Sequence, residues 1–107
     1  ATSTADVHAP ASNTPAVITY ASGGTKLSHL ISGVIWSYPA DPTGGNLKIE
    51  DGAGNVVMSF DILTKGTGFI PFTPAKKGTA NRALIITLTA GGIGISGKLS
   101  VTGHWTE

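Results

Sequence analysis

Six residues near the end of the chain, Gly92-Ile93-Gly94-Ile95-Ser96-Gly97, spell G-x-G-x-x-G. In a dinucleotide site this pattern leads from a strand into a helix whose N-terminal amides hold the pyrophosphate. Here Leu99, Val101 and Trp105 alternate with Lys98, Ser100, Thr102 and His104, so the following segment reads as a strand. A glycine-rich hairpin explains the match. Ser96 completes no nucleophile elbow either, because Lys98 stands where G-x-S-x-G needs its second glycine. His8, His29 and His104 are the three imidazoles, too scattered to share a metal by spacing. Glu50, Asp51 and Asn55 gather at a hairpin tip, but without the spacing of a calcium loop. Trp36, Tyr38 and Trp105 have the polar-tipped rings that stack on sugars, and equally the bulk that fills a small core. No catalytic, cofactor-binding or metal-ligating set is assigned, and the chain is not read as an enzyme; no small-molecule substrate is expected.

Composition narrows the alternatives. Lys and Arg number seven against six Asp and Glu, and only Lys76 and Lys77 adjoin. Nucleic-acid binding needs a basic stripe that neutralises several phosphates, so no nucleic-acid partner is expected. Cysteine is absent, which excludes disulfides and thiolate metal sites and favours a reducing compartment or support from neighbouring subunits. No apolar run approaches 18 residues, so no membrane span is expected. Ala1 to Ser12 lack a basic region followed by an apolar one and do not read as a signal peptide. With 12% charged residues, 40% hydrophobic residues and 15 glycines, the surface is poorly charged for a free monomer. Copies of the same chain, or a partner, would cover such faces.

The elements follow from period-two alternation and turn residues. Residues 1–14 are small, polar and aperiodic, and read as an extended, flexible N-terminal arm. Residues 15–107 read as one domain, the size that a 107-residue chain allows. Ala16 to Ala21 is a short strand. Leu27 to Tyr38 is a long one in which Gly33 marks a bulge or a close backbone approach. Leu47 to Ile62 is a hairpin reversed by Asp51-Gly52-Ala53-Gly54-Asn55, with Val56, Met58, Phe60 and Ile62 directed to the core. Pro71 cannot donate to a ladder, so Phe69 to Phe72 is an edge strand or a plugging loop. Pro74 to Asn81 reads as a turn, and Arg82 to Ala90 and Lys98 to Thr106 as strands. The expected core is Ile31, Ile35 or Trp36, Phe60, Leu84, Ile86, Val101 and Trp105. No window carries a helical period. The fold class is all-β, an antiparallel two-sheet sandwich of about seven or eight strands, jelly-roll or Ig-like.

Val34-Ile35-Trp36-Ser37-Tyr38, Pro42-Thr43-Gly44-Gly45-Asn46-Leu47, Glu50-Asp51-Gly52, Gly68-Phe69-Ile70-Pro71-Phe72, Lys77-Gly78-Thr79-Ala80 and Ser96 to His104 together carry a resemblance. Over roughly residues 14–107 the chain resembles small β-sandwich virion proteins of tailed bacteriophages. These are strand and turn motifs, with no functional residues attached. The resemblance implies a virion structural protein, a capsid decoration or cement protein that stabilises the shell through oligomeric contacts. Its partners would be the major capsid protein and copies of itself. It would be made in the host cytoplasm and sit on the capsid surface. A tail or head-fibre accessory module that binds a receptor or carbohydrate is the alternative.

Overall fold

The computed structural model describes residues 3–8, 14–20, 24–92, 95 and 97–106; at 3–8, 73–76 and 103–106 it describes the backbone alone. Eight strands are present among them: β1 (Ser3–His8), β2 (Ala16–Tyr20), β3 (Ser28–Tyr38), β4 (Gly45–Asp51), β5 (Val56–Ile62), β6 (Gly66–Lys77), β7 (Leu84–Leu88) and β8 (Lys98–Thr106). They form two four-stranded sheets, ordered β1-β8-β3-β6 and β2-β7-β4-β5. Every pairing is antiparallel. β1 pairs with β8, β2 with β7, β3 with β6 and β4 with β5, the nested order of a ribbon rolled over its own β4–β5 tip. This is the jelly roll, which decides between the two sandwich topologies left open by the sequence.

Alternation builds the core. Val34 and Tyr38 on β3, Leu99 and Val101 on β8, Leu47 and Ile49 on β4, and Leu84, Ile86 and Leu88 on β7 are all buried between the sheets. Each such side chain contributes roughly 1.5–3 kcal/mol relative to an exposed one. Of the expected core, Ile31, Leu84, Ile86 and Val101 are buried, while Trp36 and Phe60 pack on its margin. Ile35 is instead 42% exposed on the outer face. The side chain of Trp105 lies outside the described residues.

Two irregularities shape the sheets. In β3 the register shifts between Ile31 and Gly33 against both neighbours, and the Ser32 hydroxyl donates to the Thr102 carbonyl at 3.2 Å. The bulge expected at Gly33 is therefore present, with β3 in one sheet throughout. Between β4 and β5 the register shifts at Ile49/Glu50, which leaves Val57 without a register partner and sets Val56 opposite Glu50. One extra residue turns side chains to the other face. Val56, expected in the core, is therefore 48% exposed, whereas Ile62 is buried.

Two further segments are strands where the sequence suggested none. Within the segment read as a flexible arm, Ser3–His8 is an edge strand in register with residues 99–104 of β8. Pro74 to Lys77, read as part of a turn, belongs to β6, which runs along the sheet edge as Pro71 required.

Candidate binding surfaces

Glu50, Asp51 and Asn55, the polar residues gathered at the hairpin tip, are committed to the protein's own backbone. Asp51 ends β4 on the inner side, and its two carboxylate oxygens accept the Thr79 amide at 3.1 and 2.9 Å. The Gly78 amide donates to the His29 carbonyl at 2.8 Å. These bonds fasten the β6–β7 connection to β3 and β4. A Cβ at Gly78 would stand 2.9 Å from Asp51 Oδ1, so only glycine permits the approach. Glu50 Oε2 accepts the Gly54 amide at 2.7 Å, and Lys48 Nζ lies 3.4 Å from Oε1. The Gly54 hydrogen bond foremost, with help from Lys48 and against desolvation, holds the Glu50 carboxyl below its ordinary range. Asn55 Nδ2 donates to the Asp51 carbonyl at 3.1 Å. Glu50 and Asn55 hold the hairpin turn, while the Asp51 carboxylate holds the β6–β7 connection.

His29 is buried, with its ring 5.8 Å from that of Tyr20. His29 is paired in register with Trp105, and His104 with Leu30, so the two histidines are not cross-strand partners. The His8 and His104 side chains lie outside the described residues. Among the described residues, no three His, Cys, Asp or Glu converge as metal ligands would.

The glycine-rich segment leads into β8, not a helix. The Ile95 amide donates to the Gly92 carbonyl at 3.1 Å, and Gly92 has φ of 116°. Gly91 and Gly97 make room for Tyr38: a Cβ at either would come within 3.1 or 3.0 Å of the phenol ring. The Tyr38 hydroxyl donates to the Thr89 carbonyl at 2.7 Å, linking β3 of one sheet to the end of β7 in the other. Burial, partly offset by its hydrogen bonds, pushes the phenol pKa up.

Two surfaces remain. On the outer face of the β1-β8-β3-β6 sheet, Ile35 and Phe69 are cross-strand partners, 42% and 58% exposed. The Phe69 ring rests over Gly33, where a Cβ would stand 3.0 Å from Cε1. The second surface is the side of the sandwich bounded by β5 and β6, edge strands of the two sheets. Trp36 and Phe60 bridge the sheets there, ring centroids 5.3 Å apart at 59°. The Trp36 indole lies on Gly68, where a Cβ would fall 2.7 Å from Cη2 and closer still to Cζ2. An open groove of about 300 Å³ follows, lined by Trp36, Phe60, Leu63, Lys65, Thr67 and others. Its rim is fixed by the Lys65 amide, which donates to Asp41 Oδ1 at 2.8 Å. Leu63 at the β5–β6 turn is 78% exposed.

Sequence reasoning named Trp36 as a ring able to stack on sugars but missed the strand edge beside it. Its signal was a strand, Val56–Ile62, with neither proline nor lysine to guard an edge.

No protein-family profile matches the sequence, and no curated protein matches it. Solved structures do share the fold. The chain is similar to the Drosophila NLP core, described for pentamer formation and histone binding: 15% identity and TM-score 0.60, covering all of both chains. It is similar to a chain in the acid-stable capsid structure of Helicobacter pylori bacteriophage KHP30, at 12% identity and TM-score 0.57. That match covers 100% of this chain and 94% of the other. PirA matches at 14% identity and TM-score 0.50, over 95% and 93% of the two chains. Identities this low establish the fold alone.

Proposed function

We propose that this protein is a structural component of a bacteriophage virion, a decoration or cement protein on the capsid surface. The observation that carries the reading is the exposed Ile35–Phe69 pair on an outer sheet face, with no convergent polar site among the described residues. Two adjoining apolar side chains held outward on one sheet face favour a surface covered by a partner. The full-length likeness to a chain in a phage capsid structure supports this, as do the quoted strand and turn motifs. Jelly rolls recur in viral capsids and in lectins, so the fold alone does not choose between these roles.

In this reading the Ile35–Phe69 face sits on the major capsid protein. A decorator stabilises a shell by mass action, because it binds the assembled lattice and not free subunits. Immunogold electron microscopy of source particles, with an antibody against this chain, should label heads evenly. Adding Ile35→Asp/Phe69→Ser chain to undecorated shells should leave them unlabelled, while the unaltered chain restores labelling. Heads that stay bare in native particles overturn the reading.

A second reading rests on the Trp36 groove, whose aromatic floor and polar rim suit a sugar ring. It makes the protein a tail or head-fibre module. It requires gold at the tail or fibres, and quenching of Trp36 emission by a glycan that an array identifies.

A further inference from the structure

The four edge strands of the sandwich are not equally protected. β6 carries Pro71, which cannot donate a hydrogen bond, and its register with β3 is interrupted. β2 has only five residues and starts just after Pro15. β1 is short and polar, Ser-Thr-Ala-Asp-Val-His. β5 is different: Val-Val-Met-Ser-Phe-Asp-Ile holds no proline, no lysine and one charge, Asp61. One side of its backbone pairs with β4, and the other side faces outward. Natural sheets guard such an edge unless it is used.

The residue order of β5 says what would use it. Beyond Val57, residues 58–62 pair regularly with β4. Fold a second copy antiparallel onto this stretch about a two-fold axis through Phe60. Phe60 then meets Phe60, and Met58 meets Ile62. On the outer face Ser59 meets Asp61, a hydroxyl opposite a carboxylate. No two like charges face each other, whereas an in-register parallel pairing would stack Asp61 on Asp61. Asn46 already fixes the outer-face side chains, its Nδ2 donating to Ser59 Oγ at 3.1 Å and to Asp61 Oδ1 at 3.2 Å. Met58 and Phe60, left half-buried in one copy, would be covered by their equivalents.

We infer that β5 is a self-pairing edge: two copies of this chain join β5 to β5 antiparallel about Phe60, making one continuous eight-stranded sheet. The partner is a second copy of the chain, and the interface is isologous. The inference deepens the virion reading by naming the contact between copies, and it is testable without a capsid.

The chain has no cysteine, so introduced ones report cleanly. Ser59 and Asp61 are exposed, and changing them leaves the core intact. Ser59→Cys and Asp61→Cys proteins, mixed and oxidised, should give a disulfide-linked dimer. Neither alone should do so beyond a Thr67→Cys control on the β6 edge. The unaltered protein should sediment at twice 10.8 kDa at sufficient concentration, and Ser59→Asp, which sets a second carboxylate opposite Asp61 at both ends of the pairing, should weaken association by at least tenfold while the melting temperature of the monomer holds. A monomer at millimolar concentration, or cross-linking no better than the β6 control, overturns the inference. Shell binding that survives such a result would leave the virion reading standing.

Discussion

Gly68→Ala tests how the open side of the sandwich is held. A methyl at Gly68 would fall 2.7 Å from Cη2 of Trp36, and closer still to Cζ2 and Cε2. Covalently unlinked carbons do not approach so closely, so the indole must move. β6 cannot retreat easily, because Gly68 is paired with Trp36 in the sheet. The indole can swing towards the groove and lose its contact with Phe60, now 5.3 Å centroid to centroid. Overpacking of this kind costs ~1–3 kcal/mol, and the free space in the groove places this case at ~1–2 kcal/mol. For a domain of this size that lowers the melting temperature by about 5–15 °C. Calorimetry gives the stability and fluorescence the ring position, both in a Trp105→Phe background so that one indole reports. Emission should shift to the red and quench more readily. The decisive comparison changes sign. With Trp36→Leu the clash disappears, and alanine in a strand is then ~0.5–1 kcal/mol better than glycine. Gly68→Ala should therefore destabilise the protein that keeps Trp36, and be neutral or stabilising when Trp36→Leu is also present. Equal effects in both would refute the seating of the indole on β6.

Other perturbations bear on the rest of the molecule. Tyr38→Phe removes the hydroxyl that donates to the Thr89 carbonyl at 2.7 Å; urea unfolding should show a loss of ~0.5–1.5 kcal/mol, the net worth of one part-buried hydrogen bond. Deleting residues 1–8 removes the six β1–β8 residue pairs; at ~0.2–1 kcal/mol per pair the loss is about 1–6 kcal/mol. An unchanged melting temperature would return this segment to the role of a free arm. Glu50 titrates below its ordinary value of 4.5 in the fold, through the Gly54 amide first and Lys48 after it. Its ionised form therefore adds stability that is complete above that value and is lost as pH falls through the lower folded one. Glu50→Gln should flatten the acid limb of a melting-temperature profile, and an unaltered limb would show that other carboxyls set it.

What could be read from the sequence was local. The β4–β5 hairpin is announced by Gly52 and Gly54, whose φ of 85° and 83° only glycine takes readily, and by alternation on either side. Pro71 narrowed its segment to an edge strand or a plugging loop, because a missing amide is a local fact. Which strands lie beside which was not legible, since β1–β8 and β2–β7 join residues from opposite ends of the chain. Edge rank depends on that order. So does the fate of Val56: its alternation with Met58 and Phe60 is real, but the bulge at Ile49/Glu50 turns it outward. The choice between Ile35 and Trp36 was likewise open until Gly68 supplied a slot for the indole. Glu50 and Asp51 read in sequence as parts of a hairpin turn, yet Asp51 also anchors the Thr79 loop, a bond between distant residues.

The nested topology explains why the interaction surfaces fall where they do. Rolling a ribbon about its β4–β5 tip places β5 and β6, consecutive in sequence, at the margins of different sheets on one side of the sandwich. Their short connection closes one end of that side, and Trp36 with Phe60 fills part of the gap between the sheets. The remainder is open groove and strand edge. A chain with only 12% charged residues has few means of shielding such a margin by charge alone. Another polypeptide strand satisfies both requirements at once, since its amides and carbonyls extend the ladder and its alternate side chains cover Met58 and Phe60. The outer face bearing Ile35 and Phe69 belongs to the other sheet and stays clear of that contact. Pairing along β5 would therefore leave the Ile35–Phe69 face open to a different partner, so the two proposed contacts do not compete for one surface.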